Sequence, residues 1–166
     1  MMKQLKTLLI AAVAFLGTQA MNAQAKVAHV DISEIMQKMP AMIEAQKQLE
    51  KLSTTYDTEY KTMVDEFQAK VKKYEEESTK VTEQVNEERS KEVQDMQKRI
   101  VDYRDNAQKE LQKKQGDLVK PIMDKVNASI QKVGKAKGYQ YVLNAADLLV
   151  ADGPNVTADV KKDLGF

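Results

Sequence analysis

Apolar side chains recur at helical spacing along most of this chain. Leu49, Leu52, Tyr56, Tyr60, Met63, Phe67, Val71 and Tyr74 form one stripe, whose first six steps cover 22 residues, a mean of 3.67. A second stripe runs Val93, Met96, Ile100, Tyr103, Ala107, Leu111, Leu118, Ile122, Val126, Ile130 and Val133. With one step missing at Lys114 or Gln115, it covers 40 residues in eleven steps, a mean of 3.64. Both exceed the 3.5 of a left-handed coiled coil, so each predicts a nearly straight amphipathic helix. Residues 75–91 between the stripes are rich in Glu, Ser, Thr and Asn, with Val81 and Val85 as their apolar positions. A fold-back is expected within residues 80–90, giving an antiparallel hairpin with arms of roughly 45 residues and ~65 Å each. Pro121 withdraws a backbone donor inside the second helix and is expected to interrupt and bend it, as a hinge near the base of the arm.

The flanking segments read differently. Val27 to Ile32 alternates, with Ala28, Val30 and Ile32 on one face and Val27, His29 and Asp31 on the other, which predicts a short strand. Ser33 is the expected N-cap of a brief helix over 34–39, closed by Pro40. After Lys135-Ala136-Lys137-Gly138, a helix ending with cations and then glycine, Tyr139, Tyr141 and Leu143 alternate with polar and smaller residues as a second strand. Leu148-Leu149-Val150 is the candidate third strand, and Thr157 the expected cap of a last short helix that turns Val160 and Leu164 inward. The fold class is therefore mainly α with a small β body (α+β). Residues 26–40 and 138–166 supply that body, and residues 41–137 form an inserted helical arm.

The first residues carry a different signal. Lys3 and Lys6 precede the nine-residue apolar run Leu8 to Leu16, and small residues follow, the layout of an export signal peptide over 1–25. Cleavage is expected after Ala23 or Ala25. The run is too short to span a bilayer. Its removal takes two of the 26 basic residues and none of the 25 acidic ones, leaving a net charge of −1. The arms divide that charge: residues 44–90 hold twelve acids and eight bases, whereas residues 91–137 hold seven acids and twelve bases. A chain so balanced overall is not expected to bind nucleic acid, and membrane contact is expected to be peripheral at most.

Candidate chemistry is sparse. There is no Cys and one His, so thiolate metal sites, disulfides and His-based triads lack their residues; no metal, cofactor or catalytic set is expected. His29 reads as a surface strand residue. Glu75, Glu76 and Glu77 point in different directions around a helix and make no cation cage. The sequons at Asn127 and Asn155 are short enough to occur by chance. The stripe residues have two uses: gluing the arms together, or contacting apolar segments of another protein, to which Met and Tyr adapt well. Lys109, Lys113, Lys114, Lys120 and Lys125 make a solvated face or a rim for an acidic partner. Terminal segments this small are expected to gain a core by oligomerising, with the hairpins projecting.

The order of these pieces resembles the OmpH-like periplasmic chaperones, the Skp family. The resemblance is carried by Val27-Ala28-His29-Val30-Asp31-Ile32 with Pro40 downstream, by Lys137-Gly138-Tyr139 and Val142-Leu143-Asn144-Ala145, and by Val156-Thr157 with Val160 and Leu164. It implies a homotrimer shaped like a jellyfish, located in the periplasm, that holds unfolded outer-membrane proteins between its arms without ATP. Trimerisation would fall to Val30, Ile32, Tyr141, Leu143 and Leu149. Client binding is expected at Tyr60, Met63, Phe67, Met96, Tyr103, Lys109 and Lys113. The near-neutral charge departs from the basic character of well-known members. The alternative is an exported helical spacer or adaptor that binds one folded envelope partner.

Overall fold

A computed structural model describes residues 25–166; the export signal expected over 1–25, but for Ala25, lies outside the described residues. The elements follow in order: β1 (Val27–Val30), α1 (Ile32–Lys38), α2 (Pro40–Glu77), a 3-10 turn (Ser78–Lys80), α3 (Glu83–Ala136), β2 (Tyr141–Asn144), a second 3-10 turn (Ala145–Asp147) and α4 (Thr157–Leu164). The described chain divides into two compact units, a body of residues 25–35 with 126–166 and an arm of residues 36–125.

In the body, β1 and β2 pair in parallel, with Val27 opposite Tyr141 and Val30 opposite Asn144. On its other edge β1 meets the 154–156 segment, where His29 N–H donates to Pro154 O at 2.8 Å and Val156 N–H to His29 O at 2.9 Å. His29 is thus the middle of three chain segments and only 7% exposed. The expectation of a surface histidine fails because β1 is covered on both edges. The core gathers Val30, Ile35, Val126, Val156 and Val160, all essentially inaccessible. Gly134 lets α3 approach β2 closely, since a Cβ there would lie 3.0 Å from Val142 Cγ2. Gly138, at φ +73°, ends the helical run in the left-handed conformation anticipated for it.

Several local expectations change. Ile32 begins α1 rather than ending the strand, because Asp31 is the cap: its Oδ1 accepts Glu34 N–H at 2.8 Å. Ser33, two residues later, is already helical. Thr157 lies inside α4, and its Oγ1 accepts the Asp31 N–H at 2.8 Å, tying the last helix to the end of β1. The N-cap position is Val156, and just ahead of it Asn155 Oδ1 accepts the Thr157 N–H at 2.8 Å. Leu148, Leu149 and Val150 form no strand; within the described residues no strand pairs with them, and Leu149 and Val150 are fully or largely exposed.

The body is also larger than its two terminal segments. Val126, Ser129 and Val133 of α3 are buried in it, and α4 is fastened to that helix and to α1. Asp163 accepts from Ser129 Oγ at 2.8 Å and pairs with Lys132. Lys137 pairs with Asp159 at 2.8 Å and Lys161 with Glu34 at 2.7 Å. A single protomer therefore has a core of its own, and oligomerisation is not needed to supply one.

In the arm, α2 and α3 are joined by residues 78–82, at the early edge of the span expected from sequence. Thr82 starts the return helix, its Oγ1 accepting Val85 N–H at 3.4 Å, and Asn86 Nδ2 donates across the turn to Ser78 O at 2.9 Å. The helix α3 continues through Pro121 without interruption.

Candidate functional site

Two surfaces merit description, the apolar stripe of the arm and the outer side of the small sheet. Along the arm, Leu49, Leu52, Tyr56, Met63, Phe67, Val71 and Tyr74 of α2 are half-buried, as are Val93, Met96, Ile100, Tyr103 and Leu111 of α3, with Ala107 buried. Helical spacing puts them on one face, and their partial burial follows from two helices that can cover each other only along a seam.

The seam is stitched by named contacts. The rings of Tyr56 and Tyr103 meet edge to face, with centroids 6.1 Å apart and planes at 77°. The Tyr103 hydroxyl donates to Glu59. Burial, and then that carboxylate, push its pKa up to about 12. Nearer the turn, Glu92 accepts from both Lys70 Nζ and Tyr74 Oη. The hydrogen bond from Lys70, then that from Tyr74, holds the Glu92 carboxyl below its ordinary value, and Glu92 in turn raises the pKa of both donors. Arg89 bonds Glu77 at 2.6 Å while its guanidinium stacks 4.5 Å from the Tyr74 ring centroid. Sequence reasoning missed Glu59, Arg89 and Glu92, and weighed Glu77 only as a possible cation ligand, since polar residues flanking a stripe carry no periodic signal of their own.

Met63 and Met96 line one small cleft between the helices together with Ile100. With Phe67 and Tyr103, they contribute first to holding the arm together. Tyr60 differs, being 36% exposed although it lies on the stripe. Ile43 and Val101 are also exposed, and neither belongs to the anticipated set. Lys109 and Lys113 face solvent.

In the body, the expected trimerisation residues separate. Val30 is 1% exposed within its own chain, which leaves its side chain no surface for a neighbour; Ile32 is half-buried. Tyr141 and Leu143 are 58% and 42% exposed, and Leu149 wholly so. Val27 and Val150 add to this exposed apolar set. On β2 the alternation places Val142 against α3 and turns Tyr141 and Leu143 outward.

This arrangement has counterparts among known proteins. The family pattern described as outer membrane protein (OmpH-like) matches residues 26–164. The chain belongs to the OmpH-like family. The match runs from the start of β1 to the end of α4, so body and arm are both family features. This OmpH-like chain is similar to the chaperone protein Skp of Pectobacterium atrosepticum, with 24% identity over 149 residues covering 89% of this chain and 90% of that one. Its fold is similar to that of the crystallised OmpH-like protein of Caulobacter crescentus CB15. There the TM-score is 0.77 and the identity 15%, over 86% of this chain and 85% of that one. The family is one of chaperones rather than enzymes. The long helices with a short parallel sheet accord with the fold class expected from the sequence.

Proposed function

We propose that this protein is an ATP-independent holdase of the periplasm that keeps unfolded outer-membrane proteins from aggregating. The observation that carries the reading is the arm: helices of 38 and 54 residues whose apolar seam is covered by only one partner helix. That leaves Ile43, Tyr60 and Val101 exposed beside lysines such as Lys109 and Lys113. Such a surface suits many weak contacts with an extended chain rather than one tight contact with a folded ligand. Linking several arms in one assembly multiplies those contacts by raising the effective concentration.

Assembly as a homotrimer supplies the several arms and a cavity between them. The outward apolar residues of the body (Tyr141, Leu143, Leu149 and Val150, with Val27) support this, since so many exposed large apolar side chains on a small body call for a partner. The near-neutral charge makes apolar contact the main source of affinity and gives electrostatics a smaller part than in a basic relative.

The test is dilution of a urea-unfolded outer-membrane β-barrel into buffer with the protein in excess. Light scattering stays low if the barrel is held. If it rises as fast as without the protein, the holdase reading fails, and a single folded partner recovered from the envelope would favour the spacer alternative.

A further inference from the structure

We propose that the arm bends at residues 112–117 of α3, ahead of Pro121 rather than at it. The second apolar stripe has its one gap here. From Gln112 to Asp117 six consecutive residues are exposed, and the half-buried positions on either side are Leu111 and Leu118. Residues 57–62 of α2 form another exposed run of the same length, but that run is held: Tyr60 retains partial cover, and Glu59 accepts the Tyr103 hydroxyl. Among the described residues, no side chain in 112–117 makes a hydrogen bond or ion pair across to α2. The gap position, Gln115, continues the 111–118–122 spacing and carries an amide where an apolar group would pack.

Two backbone features fall in the same stretch. Gly116 sits mid-helix, where glycine is disfavoured against alanine because it surrenders more chain freedom. A Cβ there would meet nothing within 4 Å, so close packing does not account for a glycine at this position. Pro121 has no N–H to offer the Asp117 carbonyl, which removes one rung of the ladder at the end of the same segment. Either side is secured, by Tyr56 against Tyr103 with Ala107 buried before it, and by buried Ile122 and Val126 after it. A stretch lacking side-chain cover, one backbone bond and helix propensity is where local opening costs least.

Hydrogen exchange on the mature protein alone tests this, independently of any client. Amides of 112–120 are expected to exchange at least about tenfold faster than those of 96–107 or 122–133. Gly116→Ala is expected to slow them about fivefold, the factor matching the alanine–glycine helix difference. Gln115→Leu, which fills the stripe, slows them as well. Uniform exchange across 96–133 overturns the proposal. So does an unchanged rate in Gly116→Ala.

Discussion

At the scale of single residues, the contacts with most consequence are those that combine burial with a specific partner. Tyr103 is the clearest. Its pKa, raised to about 12 by burial and by Glu59, exceeds the ordinary tyrosine value of 10.0. The fold therefore favours the protonated phenol; the contribution is complete below pH 10 and disappears as pH rises towards 12. Titration of tyrosinate absorbance should show a high-pH phase that Tyr103→Phe reduces by one tyrosine, since Tyr74 is raised as well, and helicity of the variant should fall less steeply between pH 10 and 12. A phase near pH 12 of undiminished amplitude in the variant would contradict this assignment. Residue-level detail was also where sequence reasoning erred most. Asp31 and Ser33 are both good caps by type, and only the path of β1 decides between them. His29 read as exposed because alternation reports two faces and says nothing of the 154–156 segment lying along the strand edge.

At the scale of elements, the stripes were legible because helical periodicity and burial obey the same geometry. Nearly every position named from spacing is half-buried or buried in the structure. The position of the turn was less so. Taking the hairpin as residues 41–137 places its midpoint too late, because the last turns of α3 pack into the body; the midpoint of the arm, residues 36–125, falls at the observed turn. The strand expected at 148–150 failed for a related reason, since a run of apolar residues shows that cover is needed without showing what provides it. Within the arm, the aromatic pair should couple the helices. A double-mutant cycle on Tyr56→Leu and Tyr103→Leu, read by urea unfolding, is expected to give about 1 kcal/mol of coupling. The exposed pair Lys61–Asp65, 2.6 Å apart on one helix, should give no more than about 0.5 kcal/mol. Equal coupling in the two cycles would count against a seam held by the tyrosines.

At the scale of the whole molecule, the body has a core of its own and still leaves Tyr141, Leu143, Leu149 and Val150 exposed. Folding and the proposed assembly are thereby separable. Leu149→Asp is expected to dissociate the assembly while leaving the circular dichroism of the protomer intact. Val30→Asp is expected to unfold the body, because it places a charge among Ile35, Val126, Val156 and Val160 with no partner there. If both variants dissociate without unfolding, the division between core and outer patch is wrong. The family was readable from the order of strand, long arm, strand and short helix, whereas the outward residues depended on which face of β2 meets α3.

The most direct measurement is sedimentation of the mature protein with and without an unfolded outer-membrane β-barrel. The account predicts one species with the mass of three protomers, moving to the mass of that species plus one barrel when the client is added. A protomer-sized species that leaves the barrel to pellet alone would contradict it.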